Sequence, residues 1–370
     1  MSSRLRTHLL ATLGVTMSAG CWSPCVSEAK MTTDDTELCL PADTGDADTA
    51  GSCPSATDAL SMLAADSFAC TVVSVHGEGT GADCCYPVTV ECHDFSCCAY
   101  GRPYVAEGSV RSAEARPGAG WHPAAPMTPD LRGVSADQRR ALAAFWTKNM
   151  LSEHSSVAGF HRFALDLLAH GAPLDLLLRA QAAIVEEVQH TRMCAALASA
   201  YAGAPIEPGP LPMGVAAPIA SSLAELAAMT AKEGCVGETL AAWLAESMLR
   251  DATDPAVRHV LTRIARDEAR HAAIAWATVR WAIEVGGAPV RAAVAAVFAT
   301  GPGVPAPGDS AAEPGLVAHG FLPDRRLDQL ALDGWREVVM PCIAALGALG
   351  GDRAAPWAVR EELVCSAVAG

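Results

Sequence analysis

Residues 186–190 read Glu186-Glu187-Val188-Gln189-His190, and residues 267–271 read Asp267-Glu268-Ala269-Arg270-His271. They carry the two Glu-x-x-His spacings of the chain, and in each a second acid precedes the Glu. Both lie inside long apolar segments of helical period, where residues three apart share a face one turn from each other. Glu153 stands 34 residues before Glu187, and Glu233 stands 35 before Glu268, each interrupting an apolar face. One arrangement is therefore used twice. Burying carboxylates together is costly unless cations neutralise them. Two divalent metals balance four carboxylates, and two imidazoles complete the set. The pattern predicts a two-metal site between packed helices, held by Glu153, Glu187, His190, Glu233, Glu268 and His271.

Working outward, four helices carry these residues. The first is capped by Ser135 or Asp137 and runs to about 170, where Gly171 and Pro173 end it. The second covers about 173–201. A proline-rich crossover over 203–218 leads to a third helix at about 221–250. Asp254 caps the fourth and Pro255 occupies its first turn. Glu238 competes with Glu233, but residues five apart do not share an α-helical face, and the apolar stripe favours Glu233. Glu238 is the alternative ligand or an additional carboxylate. The acids beside the motifs project toward the neighbouring helix, which suggests Asp267 as partner of His190 and Glu186 as partner of His271. The alternative is a pair of surface acids balanced by Arg192 and Arg270.

Residues 135–285 resemble the ferritin-like di-iron carboxylate superfamily. The run Asp267-Glu268-Ala269-Arg270-His271 is similar to the Asp-Glu-x-Arg-His run of its desaturase, reductase and oxygenase members. The resemblance implies a mainly α protein with a four-helix bundle. Its two iron ions would be held by one Glu from each of two helices and a Glu-x-x-His from each of the other two. It further implies an oxidoreductase that activates dioxygen or peroxide, although substrate and electron donor do not transfer with a fold. The second reading is an exported metal-binding lipoprotein that captures or stores iron without turnover. Manganese or zinc could take the site, because affinity alone does not select iron. A rubredoxin-type centre would need two Cys-x-x-Cys pairs, and the chain has none.

The flanks read differently. Arg4 and Arg6 precede a short apolar run over 9–15, followed by Ser18-Ala19-Gly20-Cys21. This resembles a bacterial lipoprotein signal, with Ser18 where that family carries leucine. It implies removal of 1–20, lipidation of Cys21, and export to the cell envelope on an outer-membrane anchor facing the periplasm or the surface. No later segment reads as a transmembrane helix. Residues 21–52 read as a flexible spacer. Residues 53–105 read as a cysteine-rich, disulfide-stapled region, with a metal site using His76 or His93 as the rival. Residues 106–134 read as a Pro/Gly linker, and 286–370 as a loop plus a helical C-terminal extension. There Pro341 should kink the helix and Cys342 could pair with Cys365. The net charge of −15 offers no basic face to nucleic acid.

Overall fold

The computed structural model describes residues 2–13, 31–39, 55, 70–75, 85–93, 101–215, 219–301 and 313–348. The protein is mainly helical and divides into two compact units, Glu28–Cys97 and the remainder, Met1–Ser27 with Cys98–Gly370.

The smaller unit is an antiparallel sheet of β1 (Met31–Cys39), β2 (Cys70–Val75) and β3 (Cys85–His93), with β3 in the centre. The register sets Cys39 opposite Cys85 and Cys70 opposite Cys92. Strand β1 falls inside the stretch expected to be spacer. Its threonines at 32, 33 and 36 are β-branched and suit a pleated strand, although large apolar residues are scarce. The cysteine side chains of this unit, and with them the expected disulfide framework, lie outside the described residues.

In the larger unit, helix α1 (Ser2–Thr12) buries Leu5, Leu9 and Leu10 in a cluster with Trp243, Trp276 and Val338. Cys21 lies outside the described residues. The expected linker is instead an ordered strap. Residues 101–104 are buried, β4 (Val105–Ala106) pairs with β5 (Ser109–Val110), and β6 (Ala115–Pro117) pairs with β7 (Ile206–Pro208). Glu207 fastens the strap by accepting from Arg116 Nη2 at 2.8 Å and from the Gly120 amide at 2.6 Å. The prolines that mark a linker in sequence here stiffen an extended segment.

Helix α2 (Ala136–Ala169) starts on Ser135, whose hydroxyl accepts from the Gln138 amide while the Gln138 side chain accepts from the Ser135 amide. Helix α3 (Leu174–Ala202) ends on Gly203 at φ 71°, the left-handed conformation glycine adopts freely. The third long element begins as α4 (Leu223–Thr230), widens to a π-helical run (Ala231–Glu238) and continues as α5 (Thr239–Asp251). Asp254 caps α6 (Pro255–Ala299), which kinks at Gly287. Helix α2 packs on α3, α4 and α5 on α6, and α6 on α3. Helix α6 extends past the expected end near 285, and by length and composition it is apolar enough to cross a membrane, contrary to the sequence reading.

Two apolar layers bracket the acidic residues along these helices. One contains Leu142, Trp146, Met193, Leu197 and Leu261, the other Phe160, Phe163, Ala180, Ala183 and Ile274. The C-terminal part comprises α7 (Pro314–Val317), α8 (Asp324–Gly334), a second π run (Trp335–Val339) and α9 (Met340–Ala348). The chain widens before Pro341 where a kink was expected, which accommodates a residue without an amide hydrogen. Cys342 is a free buried thiol in place of the expected bond to Cys365, which lies outside the described residues.

Candidate metal centre

Helix α2 brings Glu153 to the interior, α3 brings Glu187 and His190, the end of the π run brings Glu238, and α6 brings Glu268 and His271. One donor atom from each of Glu153, Glu187, His190 and Glu268 lies within 4.8 Å of the others. The same holds for Glu238, Glu268 and His271. His190 Nδ1 is 3.4 Å from Glu153 Oε2, 3.8 Å from Glu187 Oε2 and 3.3 Å from Glu268 Oε1. His271 Nδ1 is 3.0 Å from Glu187 Oε1 and 3.3 Å from Glu268 Oε2. Glu187 and Glu268 thus each turn one oxygen toward each imidazole. Two positions result, a first beside Glu153 and His190 and a second beside Glu238 and His271, and they share two carboxylates.

The outer nitrogens of both rings are occupied as well. His190 Nε2 lies 3.3 Å from Asp267 Oδ2, and His271 Nε2 lies 2.9 Å from Glu186 Oε2. Each acid thereby serves the histidine of the other motif. Arg270 binds both acids, and Arg263 also reaches Asp267. Arg192 pairs with neither; it donates to the carbonyl oxygens of Trp121 and His122. Such outer partners fix ring orientation at a metal site.

Electrostatics in this core are strained. Burial pushes the Glu153 carboxyl up to about 8. Burial, with Glu268 alongside, pushes Glu238 well above the carboxylate range. Burial also works to raise Glu187 and Glu268, but the two histidines hold both below their ordinary value. Burial works to lower His190 and His271, and the surrounding carboxylates overcome it, so both sit well above an ordinary imidazole. Glu187 Oε2, His190 Nδ1 and both Glu238 oxygens are buried without a hydrogen-bond partner. Each such atom costs about 1–3 kcal/mol when left unsatisfied. Divalent cations would satisfy all of them, and a set of four carboxylates and two imidazoles suits such ions. The residues present therefore fit metal binding.

Glu233, expected as a ligand, belongs elsewhere. Its Oε2 accepts from Arg162 Nη2 at 2.6 Å and lies 3.6 Å from Arg102 Nη1. The cause is the π run. In an α-helix, residues five apart point roughly 140° away from each other; in a π turn, i and i+5 stack on one face. The widened turn rotates Glu238 into the core while Glu233 falls one turn away, among arginines. Arg102 is the residue that sequence reasoning missed. Arg102 falls at the end of the stretch read as cysteine-rich, where the sequence gives it no role, yet its guanidinium is buried beside Glu238.

Further histidines on or beside α2 stay outside the centre. His154 packs edge-on against Trp121, His161 Nδ1 meets the Val157 carbonyl, and His170 Nε2 meets the Ala220 carbonyl. Cys194 and Cys235 are buried free thiols, pushed up by burial. Comparison of the chain with protein-family models, with curated proteins and with solved structures returns no match.

Proposed function

We propose that the larger unit is a ferritin-like four-helix bundle holding two iron ions, and that it acts as an oxidoreductase on dioxygen or peroxide. The observation that carries this is the shared pair: Glu187 and Glu268 each offer one oxygen to the His190 side and one to the His271 side. When bound, a redox-active metal pair would supply electrons to an oxygen species. The chain's own residues do the rest. Glu153 and Glu238 complete one position each, and Asp267 and Glu186 orient the two rings. Glu153 keeps 15% of its side chain exposed, so the first position is the side open to small molecules. Phe160 stands against the His271 ring at 4.9 Å between centroids, and Glu238, Glu268 and His271 are all buried at the second. That burial favours the second reading, metal capture without turnover.

The discriminating experiment loads the full chain with ferrous iron under nitrogen and then admits dioxygen or peroxide. Uptake of two irons per chain, oxidant consumption and a new charge-transfer absorption support the oxidoreductase. Two irons with no oxidant consumed support capture, and a chain that takes up no iron overturns both. Export is a separate part of the proposal, in which residues 1–20 are a signal and Cys21 carries the lipid. N-terminal analysis of the mature protein checks it. A lipidated Cys21 supports it, and retention of α1 in the folded body, where Leu9 is fully buried, contradicts it.

A further inference from the structure

Resting on the two-metal reading, we propose that Arg102 is a positioning residue for the second metal position, delivered by the strap to hold Glu238 in place. Arg102 precedes the first long helix by more than 30 residues, yet only 1% of its side chain is exposed. Two glycines on two different elements make its path. A Cβ on Gly159 of α2 would stand 2.1 Å from the Arg102 carbonyl oxygen. A Cβ on Gly234 of the π run would stand 2.3 Å from Arg102 Nη2. The guanidinium lies over the Phe163 ring, 4.0 Å from its centroid, and 5.1 Å from that of Phe160. Its Nη1 is 3.6 Å from Glu233 and its Nε 3.8 Å from Glu238, so it bridges the two acids that the π turn stacks.

The strap also grips the backbone at the same place. The Gly101 amide donates to the Gly237 carbonyl oxygen at 3.1 Å, one residue before Glu238. Behind it, the Tyr104 amide donates to Ser155 Oγ at 3.0 Å, and that hydroxyl donates to the Arg111 carbonyl at 2.7 Å. Arg102 Nε and Nη2 have no hydrogen-bond partner, a costly state for a buried cation. Its placement is explained by counter-charge: Arg102 and Arg162 balance Glu233 and Asp166, which leaves Glu153, Glu187, Glu238 and Glu268 for two divalent ions. Side-chain ion pair and backbone hydrogen bond together fix the π register that aims Glu238 at His271. The first position takes its four ligands from α2, α3 and α6 and none from the π run beside Arg102.

The test titrates cobalt(II) into full-length wild type and Arg102→Met, following visible absorption and bound metal per chain. The expected result is two equivalents for wild type. In the variant the first is retained and the second weakened roughly 10–100-fold, the cost of removing an outer partner at a metal site. Arg102→Lys should restore part of the second affinity. Two equivalents bound by Arg102→Met within about twofold of wild-type affinity overturn the proposal, as does equal weakening of both. Should Arg102→Met not fold, Gly159→Ala displaces the strap and leaves Arg102 and every ligand intact. Selective loss of the second equivalent is again expected, and full retention overturns the proposal. A wild type that binds fewer than two equivalents sinks the two-metal reading itself, a distinct outcome.

Discussion

The two halves of the centre have the same residue types and different construction. The first position takes Glu153 from a regular α-helix and His190 from another, at phases an apolar stripe reveals directly. The second takes Glu238 from a π run pinned by a strap outside the helices. Nearly equal spacing in sequence, 34 and 35 residues, therefore does not give equal geometry. A carboxylate's distance along the chain predicts its direction only while the helix keeps 3.6 residues per turn.

The largest expected effect comes from a residue common to both halves. Glu187→Gln should weaken metal at both positions by more than roughly 100-fold, since outer partners alone are worth about 10–100-fold. Metal analysis after gel filtration reads this, and one tightly retained ion would mean that Glu187 does not serve both sides. Next, Glu238→Gln should cost only the second ion, while Glu233→Gln should leave two. If the pattern is reversed, the π run does not set the ligand.

A smaller effect should follow pH. Glu153 and Glu238 are raised by burial, and both histidines are raised by their carboxylate neighbours despite burial. A group raised in the folded state contributes stability below its unfolded pKa and loses it as pH climbs through the folded value. Metal-free protein should therefore melt at lower temperature as pH rises from about 5 to about 8, whereas metal-loaded protein should not. Circular dichroism melts with and without metal check this, and a metal-free Tm that rises over that window contradicts it. The smallest effect is local. Ser135→Ala removes the hydroxyl half of the capping box and should cost about 1 kcal/mol, with metal content unchanged.

Much of the helical body is legible because its signals are local. Ser135, Gly171 with Pro173, and Asp254-Pro255 mark helix ends by capping and stop chemistry, and those ends are where the structure has them. Glu187, His190, Glu268 and His271 are legible because i and i+3 share a face on any regular helix. Glu238 is legible only as the alternative, because a π turn has no simple sequence signature and reverses the phase argument that favours Glu233. Arg102 is not legible, because its burial depends on Gly159 and Gly234, far away in sequence, each leaving room for it. Strand β1 is hidden by a composition that is polar yet β-branched.

The most direct test is an anomalous difference map from crystals of the full chain grown with manganese(II) or cobalt(II). The account predicts two peaks, one among Glu153, Glu187, His190 and Glu268, the other among Glu187, Glu238, Glu268 and His271. A single peak, or a peak beside Glu233 with Glu238 turned away, would contradict it.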